Sequence, residues 1–350
     1  MGATRQSMAG AALALATITV ISGCASDKPE VAQPAPTFVT VTAPAPDGGT
    51  VSLKLQSYPV PPNSHPHDVA PAADGGVWFT AQRAGYLGHL DPATGNVTQV
   101  PLGTDSAPHG VIVGPDKAAW ITDGGLNAIV RVDAATREVR KFPLPPDRPA
   151  AFLNTAAFDK AGILWFTGQG GVFGKLDPAS GQMQVFDAPR GRGPYGITVT
   201  PSNQVYYSSL AGNHIARVDS AGGTATVLDP PTANQGSRRI WTDSTGRLWV
   251  SQWNSGQVAM YDPATKAWKE WPLPTKSAHA YAVHVDETDI VWLTDFTSNA
   301  MVRFDPKTET FMSVTFPGKD AEVRQILSRP GEIWAAASRL NQIYVVRTAG

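Results

Sequence analysis

Two histidines, His67 and His109, and one aspartate, Asp123, are the residues of this chain whose types best suit chemistry. An imidazole beside a carboxylate can act as a general base near neutral pH, because the carboxylate orients the ring and steadies its charged form. The same pair can equally be a structural His-Asp hydrogen bond at a strand end. Choosing between these needs the elements that carry them.

Those elements repeat. Trp78-Phe-Thr, Trp120-Ile-Thr, Trp165-Phe-Thr, Tyr206-Tyr-Ser, Trp249-Val-Ser, Trp292-Leu-Thr and Trp334-Ala-Ala follow one another in steps of 42, 45, 41, 43, 43 and 42 residues. Around each lie four strand patterns: a first such as Gly110-Val-Ile-Val, a second carrying the Trp, a third ending in Asp, and a fourth running into Pro. Seven such units predict an all-β, seven-bladed β-propeller. The last unit stops after its third strand, Gln342-Ile-Tyr-Val-Val346, and the segment Val51 to Pro59 supplies the missing outer strand, so that the termini close the ring between them. The propeller is expected to occupy residues 51–350.

In such a blade the first strand begins, and the second ends, on one face of the disc, with the first strand nearest the channel. Counting eleven residues back from each Trp places His67, His109, Asn154, Tyr195, Arg238, Tyr281 and Val323 at one channel mouth. Counting three forward places Ala81, Asp123, Gly168, Ser209, Gln252, Asp295 and Ala337 beside them. On this reading His109 and Asp123 face each other within blade 2, and His67 is the neighbour on blade 1. Asn154, Tyr195, Arg238, Trp253, Tyr281 and Asp295 are the expected ligand-binding residues. Arg238, next to Arg239, could meet an anion or neutralise Asp295. His284 falls inside a first strand, where it is expected to pack between blades. The bland alternative is a wet polar ring that solvates the channel.

Composition narrows the classes. Charged residues make up 16%, and 33 Gly with 30 Pro fit many short strands joined by turns. A net charge of -1 leaves no basic footprint for nucleic acid. Residues 1–23 read as a signal peptide: Arg5, then the apolar run Met8 to Ile21, too short for a permanent span. Ile21-Ser22-Gly23-Cys24 resembles the bacterial lipobox, so Cys24, the single cysteine, is the expected lipidation site. Residues 24–50, rich in Pro, Ala and Thr, read as a spacer. The protein is therefore expected to be exported and lipid-anchored, touching the membrane only through that anchor, and to act as a monomer.

Ala107-Pro108-His109-Gly110-Val-Ile-Val with Ala119-Trp120-Ile-Thr-Asp123, and Gly193-Pro194-Tyr195-Gly196-Ile197-Thr198, resemble the repeats of the virginiamycin B lyase (streptogramin lyase) family. The resemblance runs over all seven units and implies a carbon-oxygen lyase that opens a cyclic depsipeptide by elimination. It further implies a histidine base, at His109, and Mg²⁺ held partly by carboxylates. His67 matches a second histidine of the family. Asp123 stands where the family has a glutamate and is the one position left as a metal ligand. Ala107 stands at another metal-binding glutamate and cannot ligate.

Two readings stay open. One is a lyase acting outside the cytoplasm with His109 as base, Asp123 as its orienter or a metal ligand, and His67 as partner. The other is a non-catalytic binding module whose mouth holds a small molecule or a cell-envelope ligand. Both histidines favour the first, and Ala107 with the lipid anchor favours the second.

Overall fold

Each Trp motif becomes the second strand of an antiparallel sheet, and in six of the seven second strands every residue is buried. Burial on both faces follows from blades stacking side by side, so that each sheet is covered by its two neighbours. Apolar clusters accordingly mix adjacent blades: Trp78, Leu87 and Val100 pack with Val111, Ile121 and Val130, and Trp249 and Val258 with Val283, Leu293 and Val302. A ring system of Trp size buries roughly 150–250 Å². At about 25 cal/mol per Å², each contributes about 4–6 kcal/mol before conformational entropy is counted. In blades 2, 3 and 6 the indole N–H also binds the turn between the first two strands, Trp120 to Asp116 at 3.0 Å, Trp165 to Asp159 at 2.9 Å and Trp292 to Asp286 at 2.7 Å.

The structure, a computed structural model, describes residues 37–44, 50–219, 221 and 223–348. They form seven sheets around a channel, and the innermost strand of each packs against those of the blades on either side. Blades 1 to 6 have four strands each. The seventh sheet runs, from the channel outward, through Val323–Arg329, Glu332–Ala337, Gln342–Thr348, Thr50–Pro59 and Thr37–Pro44. The expected N-terminal closing strand is thus present, with Pro59 opposite Gln342 and Leu53 opposite Thr348.

One boundary changes. Part of the segment read as a spacer is a fifth strand, with Thr37 opposite Ser57 and Pro44 opposite Thr50. Its sequence, TFVTVTAP, is uncharged and alternates β-branched residues, which suits it to pairing with an open edge. The leader, residues 1–23, and Cys24 lie outside the described residues.

The feature that shapes the channel is a one-residue register shift in every innermost strand. In blade 1 Pro66 pairs with Ala81 and Val69 with Phe79, so His67 and Asp68 together oppose Thr80. Such a bulge breaks the alternation of a strand. Two consecutive residues per blade are thereby brought toward the channel, with Asp68, Gly110, Thr155, Gly196, Arg239 and Gln325 as second members of their pairs.

The Thr or Ser of the Trp motif pins the bulge in blades 1 to 6. Thr80 Oγ1 accepts the Asp68 N–H at 3.0 Å and donates to the His109 carbonyl of the next blade at 2.8 Å. Thr122 does the same between Gly110 and Asn154, at 2.9 and 2.5 Å. Ser251 does so between Arg239 and Tyr281, at 3.0 and 2.6 Å. Blade 7 has Ala336 at this position. There Ser338 Oγ donates instead to Pro66 O at 2.6 Å across the closing seam.

Replacing Thr80 by Val keeps the shape and removes both bonds. The expected cost is about 1–3 kcal/mol for each buried group left unpaired, read from the urea unfolding midpoint. A loss under about 0.5 kcal/mol, the range of an ordinary surface substitution, would show that the hydroxyl does not clamp the blades.

Candidate functional site

The bulge decides which side chains meet at the mouth where the innermost strands begin. His67 and His109 meet with their rings tilted at 42° and their centroids 3.8 Å apart. Tyr195 stands 6.4 Å from His109, and the Tyr195 and Tyr281 hydroxyls are 2.5 Å apart. Arg238 donates to Tyr195 Oη at 3.1 Å, and its guanidinium lies 3.5 Å from the Tyr281 ring and 4.5 Å from Trp253. Asn154, fully buried, touches His109. His67, His109, Asn154, Tyr195, Arg238, Trp253 and Tyr281, expected from sequence, are therefore one cluster.

Asp123 and Asp295 are not part of it. The Asp123 Oδ1 accepts the backbone N–H groups of Ala107, Gly125 and Leu126 at 2.9–3.0 Å, and its Oδ2 accepts the Ser106 hydroxyl at 2.5 Å. It ties the lead-in loop of its blade to the turn after the second strand and makes no bond to His109. Asp295 has the same task, accepting His279 N, Thr297 N and the Ser298 hydroxyl, and Arg238 does not neutralise it. The expectation that Asp123 orients His109 is corrected on this point: a carboxylate one methylene shorter than glutamate folds back onto its own turn.

The carboxylate beside the histidines is Asp68. Its Oδ1 accepts His67 Nδ1–H at 2.7 Å and the Arg239 Nη2–H at 2.9 Å, an ion pair that crosses the channel from blade 1 to blade 5. Arg239 also donates to Thr155 Oγ1 at 2.7 Å, Thr155 donates to Asn154 Oδ1 at 2.8 Å, and Asn154 Nδ2 reaches His109 Nε2 at 3.3 Å. His109 Nδ1–H in turn donates to the Asn154 backbone carbonyl at 3.1 Å. That carbonyl can only accept, so the bond fixes the tautomer and leaves the lone pair of His109 on Nε2.

Gly110 makes this possible. A Cβ there would lie 2.6 Å from the Asn154 carbonyl and 2.8 Å from Thr122 Oγ1, which explains the glycine of the Pro-His-Gly motif.

Electrostatics follow from burial. Burial, with Arg239 and the other mouth arginines adding to it, holds His67 well below its ordinary value. Burial and the adjacent His67 do the same to His109, Asp68 pulling the other way. Burial raises Asp68 while Arg239 opposes it. At Tyr195 burial is outweighed by Arg238, Arg239 and the Tyr281 hydroxyl, which leave the phenol more acidic than usual. Two neutral imidazoles thus face an acidified phenol and an arginine.

Asp68, Thr155 and Arg239 escaped the eleven-residue count because they are the second residues of their bulges. Opposite charges at equivalent places in blades 1 and 5 were the available signal. Arg324 escaped for another reason. Val323 pairs with Ala337 as Pro66 pairs with Ala81, so in blade 7 the mouth position is Arg324, not Val323. The hairpin before Trp334 is one residue shorter than the others: Leu327 opposes Trp334, whereas Ala70 opposes Trp78.

The residues present do not fit Mg²⁺, which demands an octahedron of oxygens. Asp123 has both oxygens committed to N–H and O–H donors, and Ala107 offers only a methyl group. His67, Asp68 and His109 bring three ligand atoms within 4.8 Å of one another. Two of the three are nitrogens, and the carboxylate already carries Arg239.

Both buried imidazoles prefer the neutral form, whereas in the unfolded chain each titrates near 6.5. The unfolded state therefore binds more protons below that pH, and the stability present above it is lost as pH falls. Urea midpoints are expected to decline steadily from pH 7 to pH 5, and the decline to shrink in His67→Phe. A midpoint that rises over this range would contradict the neutral assignment.

Residues 48–268 match the profile of the virginiamycin B lyase family. Among solved structures, a streptogramin B lyase is similar over 85% of this chain and 98% of its own, at 23% identity and a TM-score of 0.78. A catalytically inactive histidine-to-alanine variant of virginiamycin B lyase from Staphylococcus aureus, with quinupristin, is similar over 85% and 100%, at 20% identity and a TM-score of 0.79. The extracellular domain of a protein described as a hybrid two-component system of B. thetaiotaomicron shares the fold over 81% of this chain and 40% of its own, at 14% identity and a TM-score of 0.65. No protein of curated function matches the chain in sequence. With its profile matched across more than half of its length, this propeller belongs to the virginiamycin B lyase family.

Proposed function

We propose that the histidine mouth opens a cyclic depsipeptide or a related ester by elimination, with His109 as the base. The observation that carries this reading is the Nδ1–H bond from His109 to the Asn154 carbonyl, which presents a neutral Nε2 lone pair at the mouth. Taking a proton there requires only that the long 3.3 Å bond from Asn154 Nδ2 be given up. Asp68 then favours the proton on His109 through its charge. In the reaction Nε2 removes the proton on the carbon next to a carbonyl, and that electron pair forms a C=C bond to the neighbouring carbon. The C–O bond of the ester breaks there, and the acid leaves as a carboxylate. The product is a linear isomer of unchanged mass.

Negative charge develops on the carbonyl oxygen as the proton departs, and it needs a preorganised partner. Arg238 and the acidified Tyr195 hydroxyl, joined at 3.1 Å, supply that partner without a metal. Trp253 and Tyr281 hold the guanidinium in place from two sides. The aromatic wall they form with Phe296, whose ring stacks on Tyr281 at 4.9 Å, suits a ligand with ring side chains.

A second reading has the mouth bind its ligand without turnover. It is favoured by the deep burial of both imidazoles, His67 being 2% and His109 8% exposed. In either case we propose that the domain works outside the cytoplasm as a monomer tethered through Cys24. Labelling with a fatty-acid analogue in cells is expected to be lost in Cys24→Ala; retained labelling would refute the anchor.

Incubation with a streptogramin B should yield the linear isomer. His109→Ala is expected to lower the rate at least about 100-fold, the usual contribution of a general base, and EDTA to leave it unchanged. A product heavier by one water would mean hydrolysis. Activity retained in His109→Ala would remove the base, and loss in EDTA would overturn the metal-free reading.

A further inference from the structure

The side of the disc that carries the histidine mouth holds a second recess, at the seam where blade 7 meets blade 1. Its volume is about 410 Å³, within the range of small-molecule sites. Asn63 and His65 on the approach to the first strand of blade 1, Arg83 in the turn after its second strand, and Glu322, Arg339 and Asn341 of blade 7 line it. None of these belongs to the histidine cluster, so what the recess binds does not depend on what that mouth does.

Its wall is rich in hydrogen-bond donors and poor in acceptors. Glu322 is the one carboxylate there, and it is already shared: Arg324 donates to its Oε2, and Arg339 reaches its Oε1 at 3.4 Å. Arg83 has neither a hydrogen bond nor an ion pair among the described residues. The Asn341 Oδ1 accepts the His65 backbone N–H at 2.9 Å, which leaves the Nδ2 donors of that amide. The guanidinium groups of Arg83, Arg324 and Arg339 therefore stand against a single carboxylate, on a chain whose net charge is -1. Burial, then Arg83 and Arg324, hold His65 below its ordinary value while Glu322 pulls the other way, so that ring adds no negative partner either.

The backbone gives an independent sign. Asn63, His65, Glu322 and Asn341 have φ of 64°, 50°, 52° and 51°, so four residues of one wall are left-handed. Asparagine tolerates this region, whereas histidine and glutamate enter it at a cost. His65 and Glu322 each precede a mouth residue by two, and at the equivalent positions of blades 4 and 5 the chain has Gly193 and Gly236, also at positive φ. Strained residues of this kind, gathered on one recess, are characteristic of ligand sites.

We propose that the seam recess is a second binding site, for a small molecule bearing an ionised carboxylate or phosphate group, which Arg83 and Arg339 hold through N–H···O bonds. Planar guanidinium forks match such oxyanions. A cation would be repelled, and a neutral ligand would leave the arginine charge unanswered. Because the wall is drawn from blades 1 and 7, the occupant also ties the ring at its closing seam.

The probes are succinate and inorganic phosphate, each titrated calorimetrically into the propeller in Tris at pH 7.5, with succinamide as the neutral control of similar shape. One anion is expected to bind per chain, the tighter of the two naming the group, with succinamide at least about tenfold weaker because it lacks the charge. Arg83 forms no bond in the free protein, so Arg83→Gln tests the site without cost to the fold and should weaken binding about tenfold or more, the worth of one charge-assisted bond. Arg339 is 60% exposed, so Arg83→Gln/Arg339→Gln should keep its melting transition and lose binding. Failure of both anions to bind, succinamide binding as tightly, or affinity undiminished in the double variant, which would place the anion at Arg238 instead, would each overturn the proposal.

Discussion

The whole arrangement depends on one extra residue in each innermost strand. A regular strand shows alternate side chains to the channel; a bulge shows two in succession. The first of each pair forms the outer ring, His67, His109, Asn154, Tyr195, Arg238, Tyr281 and Arg324, and the second forms the layer beneath, where Asp68 and Arg239 join across the channel. In blades 1 to 6 the hydroxyl of the Trp motif holds the bulge by its N–H and reaches the next blade's carbonyl. One Thr or Ser therefore sets the local geometry and spaces the neighbours. The Asn154 carbonyl shows the link to chemistry, since it accepts both the Thr122 hydroxyl and the His109 Nδ1–H. What clamps blade 2 to blade 3 also orients the His109 ring.

Much of this was legible in the sequence, for definite reasons. The Trp period exposed the seven blades because each repeat must fill the same gap between neighbours with the same large ring. Six of the seven mouth residues could be counted off because the distance from bulge to Trp is constant in those blades. Arg324 was lost where the hairpin is one residue shorter. Asp68 and Arg239 were lost because a bulge has no hydrophobic signature: strict alternation would turn them outward. Asp123 misled for a chemical reason. A carboxylate at the end of a second strand serves a ligand only if it is free of the turn beside it, and whether it is free depends on loop N–H groups that the sequence does not reveal.

The division of charge along the channel gives the fold its functional logic. At the histidine mouth three arginines outnumber the one buried aspartate, and a buried cation draws its neighbours' protons away: Tyr195 becomes more acidic and His67 less basic. Positive charge at this mouth includes the Arg238 guanidinium, which packs against the rings of Trp253 and Tyr281. No Asp, Glu, Lys or Arg lines the cavity at the ends of the innermost strands. The Asp68–Arg239 pair lines the narrow part of the channel, and breaking it would leave a buried charge unpaired.

The central claim, that the bulges aim two neutral imidazoles into one mouth with His109 exposing Nε2, is tested most directly by the ¹⁵N spectrum of the protein labelled at histidine. With signals assigned by His67→Gln and His109→Gln, both rings are expected as neutral Nδ1–H tautomers at pH 7, and to remain so at pH 5.5. A His109 ring that is doubly protonated at pH 7, or that carries its proton on Nε2, would contradict the account.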